Sequence, residues 1–259
     1  MPDNYQHIKF KLEDRVARIT FARPPLNILN IAMMREINDA LAQCAEQRSL
    51  AAIVFDAAAD CNAFSAGVAV EEHVAETIFQ MLESFHAIFR NLEQIARPTI
   101  AVVDGAALGG GCELVAACDI VISSERARFG QPEIKLGVFP PVAAVLLPLV
   151  IGDKRARELI LTGELIEASE AARLGLVNYL LPPNELEQKT SELVSRFRDL
   201  SAVALAFTKQ AIDVGRGRSL DAALKEVEDL YLNELMKTHD ASEGVNAFTE
   251  KRKPEWRHR

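Results

Sequence analysis

The chain has 259 residues, of which 49% are apolar and 25% charged, a composition typical of a soluble globular protein built on one large domain. The net charge of −8 argues against nucleic acid as the main partner, and no apolar run reaches the roughly 18 residues of a membrane span. Residues 1–13 are polar and contain no signal-peptide core, so we expect a cytoplasmic protein. The four cysteines and five histidines show neither metal-ligand nor disulfide spacing, so we expect neither kind of site.

Strand and helix patterns alternate along the first two thirds of the chain. In chain order the predicted elements are a hairpin at 8–12 and 16–21, a helix at 31–48, a strand at 51–56, a helix from 78 to about 96, a strand at 99–103, a helix ending near 118 and a strand at 119–123. This recurrence of strand and helix predicts an α/β fold.

The pattern changes after Pro182-Pro183. From there to Lys253 the apolar residues recur at helical spacing and no strand is evident, which predicts three or four helices. Gly215 and Gly217 interrupt them. We therefore divide the chain into a core that carries the active site, residues 1–194, and a C-terminal helical region, residues 195–259.

A glycine triplet, residues 109–111, follows the predicted strand at 99–103 and opens the helix that contains Glu113. Such a junction leaves backbone N–H groups bare at a helix N-terminus, where negative charge is stabilised. Glu113 would lie one helical turn from this anion site. The arrangement suits a reaction that creates an oxyanion while a proton moves beside it. Taken alone, Glu113 is more simply an acid in the first turn of a helix, where acids are common.

A second glutamate, Glu133, ends the run Phe129-Gly130-Gln131-Pro132-Glu133. Together with the triplet and with Phe64-Ser65-Ala66-Gly67-Val68 upstream, this run resembles the crotonase superfamily and, within it, the enoyl-CoA hydratases. The likeness spans nearly the whole chain, and three motifs in the right order are far more specific than a glycine triplet alone. It implies a spiral of stacked strand-strand-helix turns followed by a helical region that assembles trimers, often paired into hexamers.

The resemblance also implies roles for individual residues. The backbone N–H groups of Val68 and Gly110 would polarise the carbonyl of an acyl-CoA thioester. Glu113 and Glu133 would hold one water between them as base and acid, with the division of labour left open and their titrations coupled. Because coenzyme A is part of the substrate, we expect no separate cofactor.

Contacts with the rest of the substrate follow from the same resemblance. Leu26 would line the pantetheine channel, and the carbonyl of Ala66 would meet the adenine. Phe248 and Lys251 would reach the nucleotide or the acyl pocket, often from a neighbouring subunit. The cluster of cations at residues 251–253 is also compatible with a solvated tail.

The chain departs from the family in two places. Ala69 and Glu71 stand where an aspartate and a lysine are usual, which weakens the expected CoA contacts without touching the oxyanion hole. More telling is the segment 139–144, Phe-Pro-Pro-Val-Ala-Ala, which replaces a glycine-rich stretch and stiffens the wall of the acyl pocket beside Phe139. This version resembles the cyclohexa-1,5-diene-1-carbonyl-CoA hydratases of anaerobic aromatic degradation.

Other functions fit the sequence less well. A dinucleotide-binding turn would need glycine at Leu114, and a serine hydrolase would need a G-x-S-x-G elbow, which is absent from the sequence. An RNA-binding homologue would need a basic helix, whereas the predicted helix at 31–48 has more acidic than basic residues. An isomerase or hydrolase on the same fold, and a general hydratase of linear enoyl-CoA, remain alternatives to a cyclic dienoyl-CoA hydratase.

Overall fold

A computed structural model describes residues 5–259, so the first four residues of the polar N-terminal segment lie outside the described part of the chain. The strands are β1 Ile8–Glu13, β2 Val16–Phe21, β3 Ala52–Ala57, β4 Ala63–Ser65, β5 Thr99–Val103, β6 Ala106–Leu108, β7 Ile120–Ser124, β8 Arg128–Gly130, β9 Leu165–Glu167 and β10 Tyr179–Leu181. The helices are α1 Ile31–Ala45, α2 Ile78–Ile95, α3 Gly110–Ala117, α4 Pro141–Ile151, α5 Asp153–Thr162, α6 Ala168–Leu174, α7 Leu186–Arg198, α8 Ala202–Val214, α9 Leu220–Asp229 and α10 His239–Glu250.

Two sheets organise the described residues. The first has the order β1-β2-β3-β5-β7-β10 and is parallel except for the β1–β2 hairpin. The second has the order β4-β6-β8-β9, with only the β8–β9 pair antiparallel. In the consecutive units β3-β4-α2, β5-β6-α3 and β7-β8-α4, the first strand joins the first sheet and the second strand joins the second. The expected spiral of strand-strand-helix turns is therefore confirmed.

The longer predicted elements are confirmed with small shifts of their ends. The hairpin lies where the alternating pattern predicts it and the strand Thr99–Val103 where its apolar run predicts it, while α1 ends at Ala45 rather than near residue 48. One interpretation was wrong: the strand that leads into the glycine triplet is β6, not β5. Strands of three residues such as β6 are too short to show an alternating pattern, so their positions depend on pairing with neighbours.

Apolar side chains pack on both faces of the first sheet. One core fills the space between the two sheets and helices α1 to α6 and includes the fully buried rings of Phe21, Phe55, Phe64 and Phe129. A smaller core places Leu193 of α7 on the opposite face. The division between residues 194 and 195 falls inside α7, and it stays a prediction.

Four α-helices, α7 to α10, follow Pro182-Pro183 in the described part of the chain, as the helical spacing predicts. Ser201, Ser219 and Thr238 cap the N-termini of α8, α9 and α10, each accepting a hydrogen bond from a backbone N–H of the first turn. Within residues 5–259, no helix combines the length and the apolar character needed to cross a membrane.

The backbone of α3 approaches the end of β4 closely because glycine occupies the contact. A Cβ on Gly111 would lie 2.5 Å from the carbonyl oxygen of Ser65 and 2.8 Å from its Cβ. Because two of the three nearest atoms belong to the backbone of Ser65, a methyl group cannot be accommodated there without moving α3 or β4. This contact fixes the N-terminus of α3 against the second sheet.

We expect Gly111→Ala to lower the free energy of unfolding by about 1–3 kcal/mol, because the added methyl group overpacks a contact between two backbone segments. Denaturant unfolding measures the change. The matched control is Gly215→Ala, where the new Cβ would lie 3.6 Å from the carbonyl oxygen of Ile212 at ordinary contact distance. Equal stability of the two variants would contradict the close approach described here.

Candidate active site

The N-terminus of α3 lies at the centre of the candidate site. Its N-cap, Gly109, has φ +50° and ψ −125°, a backbone conformation that side chains disfavour. The N–H of Gly109 is paired with the carbonyl of Gly130, and its own carbonyl accepts the N–H of Glu113. These two hydrogen bonds fix the position of the first turn of α3. The N–H groups that follow Gly109 lie at the N-terminus of the helix, where they have no partner within the helix.

The two predicted carbonyl donors lie side by side. A Cβ on Gly110 would be 2.8 Å from Cγ2 of Val68, and a Cβ on Gly67 would be 3.6 Å from the backbone nitrogen of Gly110. Among residues 5–259, neither the N–H of Val68 nor that of Gly110 donates to a protein acceptor. Two adjacent unpaired N–H groups are what an oxyanion hole requires, so the geometry is compatible with the predicted role.

Glu113 is almost completely buried, with only 2% of its surface exposed. Its Oε1 accepts the N–H of Ala143 at 2.8 Å, and Ala143 belongs to the first turn of α4. Pro140 and Pro141 occupy the N-cap and first position of α4. Because Pro141 has no N–H, the donors of this turn that can face the carboxylate begin at Val142.

Glu133 approaches the same place from the other side. It lies in a 3-10 turn, Pro132–Leu136, and is half-buried. Its Oε1 lies 2.6 Å from the point where Gly109 would carry a Cβ, so the carboxylate rests against the N-cap of α3. With its NH2 turned toward Glu133, the buried amide of Gln131 donates to the two carboxylate oxygens at 3.2 and 3.3 Å.

Both carboxyl groups have raised pKa values. Burial raises the pKa of Glu113 from 4.5 to about 7; the N–H of Ala143 opposes this increase and the charge of Glu133 adds to it. Burial also raises the pKa of Glu133 from 4.5 to about 6. Each group therefore exchanges protons near neutral pH, as a general acid or base must.

The other predicted contact residues fall into two groups. Leu26 and Ala66 are brought together, since the N–H of Ala66 donates to the carbonyl of Leu26 at 2.9 Å. Phe139 lies just before α4 and is 67% exposed. Phe248 is 87% exposed, and Lys251 is an exposed residue that caps the C-terminus of α10. All five assignments stay predictions.

The cationic cluster at residues 251–253 is partly neutralised. The guanidinium of Arg252 binds both carboxylate oxygens of Glu243, at 2.5 and 2.9 Å, and also contacts Glu250. Lys251 and Lys253 therefore carry the cluster's available charge.

Sequence reasoning missed two groups that touch the glutamates. Gln131 is a fully buried polar residue. Its position in the sequence, two residues before Glu133, could have indicated that it contacts this glutamate. Ala143 contributes only its backbone N–H, so its side chain gives no signal. The Pro-Pro pair at 140–141 was the available clue, because proline favours the first position of a helix.

A spiral α/β fold with two raised-pKa glutamates beside unpaired backbone N–H groups defines a crotonase-type enzyme. The comparisons with known proteins agree: a profile of the enoyl-CoA hydratase/isomerase family matches residues 11–259. The chain belongs to this family and is a hydro-lyase of the enoyl-CoA hydratase type.

Its relatives include more than one kind of hydratase. The chain is 37% identical over 244 residues to the cyclohexa-1,5-dienecarbonyl-CoA hydratase of Thauera aromatica, covering 93% of both chains. It is 36% identical over 250 residues to the short-chain-enoyl-CoA hydratase of Clostridium acetobutylicum, covering 94% of both. The crystal structure of an enoyl-CoA hydratase from Bacillus anthracis superposes with a TM-score of 0.91 at 32% identity, covering 98% of this chain and 100% of that one.

Because the pKa of Glu113 is raised in the folded chain, we expect the free energy of unfolding to depend on pH. The folded chain binds the proton of Glu113 more tightly than the unfolded chain does. The stabilisation of the fold that this proton gives is therefore fully present below pH 4.5 and is lost as the pH rises through about 7. A pKa shift from 4.5 to about 7 corresponds to a change of about 3 kcal/mol in the free energy of unfolding. We therefore expect Glu113→Gln to gain stability relative to the native chain between about pH 5 and pH 8.

Denaturant unfolding of both proteins across this pH range measures the difference. Glu170→Gln is the control: a hydrogen bond from Arg173 lowers the pKa of Glu170, so this group titrates below pH 4.5 and the effect of its replacement on stability should stay constant between pH 5 and pH 8. A difference for Glu113→Gln that does not change with pH would mean that this carboxyl group titrates normally.

Proposed function

We propose that this enzyme adds water across the conjugated C=C bond of an unsaturated acyl-CoA by two-glutamate acid–base catalysis with a backbone oxyanion hole. The observation that carries the proposal is the convergence of two unpaired N–H groups, on Val68 and Gly110, with two carboxyl groups of raised pKa. The family match supports the class of reaction.

The N–H groups would act on the thioester carbonyl. As water attacks the β-carbon, negative charge moves onto the carbonyl oxygen, and donors fixed in the backbone stabilise that charge without reorganising. Removal of one such donor typically costs a factor of about 10²–10³ in rate. Because the backbone supplies the donor, an apolar residue such as valine can occupy position 68.

The two glutamates would act on a single water. One carboxylate is ionised and takes a proton from the water as the water oxygen bonds to the β-carbon. The other carboxyl group is protonated and gives its proton to the α-carbon. One C–O and one C–H bond form as the C=C π bond breaks, and the pair as a whole keeps the same number of protons. Groups with pKa values of about 6 and 7 suit both halves of this exchange.

Coenzyme A would enter as part of the substrate, so the proposal includes no separate cofactor and no metal. Leu26 and Ala66 would contact its pantetheine and adenine. We also propose a homotrimer or a hexamer, in which Phe248 and Lys251 would reach a neighbouring subunit's substrate. Large apolar side chains exposed on and just after α9, such as Leu224 and Leu232, support such an assembly.

The proposed substrate is cyclohexa-1,5-diene-1-carbonyl-CoA, which would place the enzyme in aromatic degradation. Two prolines begin α4 and its first turn holds Glu113, so this wall of the site is rigid. A rigid wall loses little entropy on binding a planar ring. The similarity to the Thauera aromatica enzyme favours this choice, whereas a comparable identity to the short-chain hydratase favours a linear enoyl-CoA as the second candidate.

We expect Glu113→Gln and Glu133→Gln each to lower kcat by about 10²–10⁴, the usual range for positioned acid–base groups. Binding of acyl-CoA should change little, and the double variant should lose less than the product of the two single effects, because the pair acts as a unit. Loss of absorbance of the conjugated thioester measures the rate. Glu158→Gln, at an exposed position on α5, is the matched control. Near-native turnover by either single variant would make the two-glutamate mechanism wrong.

We expect kcat/KM for cyclohexa-1,5-diene-1-carbonyl-CoA to exceed that for crotonyl-CoA by at least about tenfold. Glycine at Pro141, Ala143 and Ala144 should narrow the gap, because it loosens the first turn of α4. The same absorbance assay with both thioesters measures the ratio. A preference for crotonyl-CoA or a longer linear substrate would leave a general enoyl-CoA hydratase.

A further inference from the structure

Two apolar side chains fill the space beside Gly110. A Cβ on this glycine would lie 2.8 Å from Cγ2 of Val68 and 3.0 and 3.2 Å from Cζ and Cε2 of Phe85. These side chains therefore touch the backbone unit that carries one of the two proposed carbonyl donors. Interiors packed this closely transmit small displacements rather than absorb them.

The ring of Phe85 is held firmly from behind. It lies on α2, is 2% exposed and packs edge-to-face on Phe89 with ring centroids 5.0 Å apart and an interplanar angle of 82°. The same face of α2 buries Met81, Ile88 and Leu92 in the main core. The ring edge at Gly110 is therefore a fixed surface of the core.

The backbone of Val68 is held from another direction. The N–H of Leu29 donates to the carbonyl of Gly67 at 2.9 Å, and the N–H of Ala69 donates to the carbonyl of Leu29 at 3.0 Å. These bonds pair the peptide groups on both sides and leave the N–H of Val68 unpaired. With its backbone fixed in this way, Val68 contacts Gly110 through Cγ2.

We propose that Phe85 is a positioning residue for hydration: its ring, together with the side chain of Val68, sets the separation of the N–H groups of Val68 and Gly110. This rests on the proposed function, because that separation matters only if both groups bind the thioester oxygen. Misplacement by about 1 Å of groups that contact reacting atoms can cost about 10²-fold in rate. A smaller side chain at position 85 removes the surface against which Gly110 rests.

The test replaces Phe85 by leucine and compares it with Phe55→Leu, the same change at a fully buried ring on β3 in the same core. Steady-state kinetics give kcat and KM. Bound cinnamoyl-CoA gives a second readout, because its absorption moves to longer wavelength when its carbonyl is polarised. We expect Phe85→Leu to lower kcat by about 10–100-fold with little change in KM and to reduce the wavelength shift. Phe55→Leu should keep the native kcat and shift.

The outcomes separate this inference from the proposed function. No wavelength shift with the native enzyme would mean that Val68 and Gly110 do not form an oxyanion hole, and the proposed function would fail. If the native enzyme shows the wavelength shift and Phe85→Leu retains it, the inference about Phe85 is wrong and the proposed function stands. This holds whether kcat is unchanged or falls together with a rise in KM. If Phe85→Leu does not fold, Val68→Ala removes the opposite contact at a half-buried residue. A smaller wavelength shift and a lower kcat in Val68→Ala would then support the inference. A wavelength shift and a kcat equal to those of the native enzyme would overturn it.

Discussion

The close approach of the backbone at the end of β4 to the N-terminus of α3 is the contact on which the rest of the site depends. Gly111 packs on the carbonyl of Ser65, Gly67 lies beside the nitrogen of Gly110, and Gly109 leaves room for the carboxylate of Glu133. A Cβ would overlap with neighbouring atoms at Gly111 and Gly109. Because glycine removes these side chains, bare N–H groups and a carboxylate can share a volume that ordinary residues would fill.

This arrangement buries carboxyl groups, which opposes folding unless the groups stay protonated or gain donors. Glu113 gains the N–H of Ala143 at the start of α4, and Glu133 has the amide of Gln131 beside it. These donors are too few to cancel the effect of burial, so both pKa values stay above their ordinary range. The same imbalance that weakens the fold at alkaline pH leaves the two groups able to exchange protons near neutrality.

Helix α4 links this electrostatic environment to the wall of the site. Its first turn begins with Pro141 and supplies the donor to Glu113, so the backbone proposed to line the acyl pocket also orients a proposed catalytic group. Proline fixes φ at the point where α4 begins. A change in residues 139–144, which we propose to select the substrate, would therefore also move the carboxylate of Glu113. The proposed function therefore couples substrate range to acid–base geometry through one turn of helix.

The sequence by itself determined the elements whose patterns are long enough to read and the residues whose chemistry is specific. The 3.6-residue spacing of α1 and α2 and the buried strand Thr99–Val103 predicted an α/β fold. The family resemblance carried by three motifs, two of which contain Glu113 and Glu133, implied the spiral and the class of enzyme. Tertiary structure alone decided the three-residue strands, which exist only through pairing, and the groups that act through backbone or packing. The N–H of Ala143 and the ring edge of Phe85 reach the site because distant segments fold together, and neither contact is encoded in local sequence.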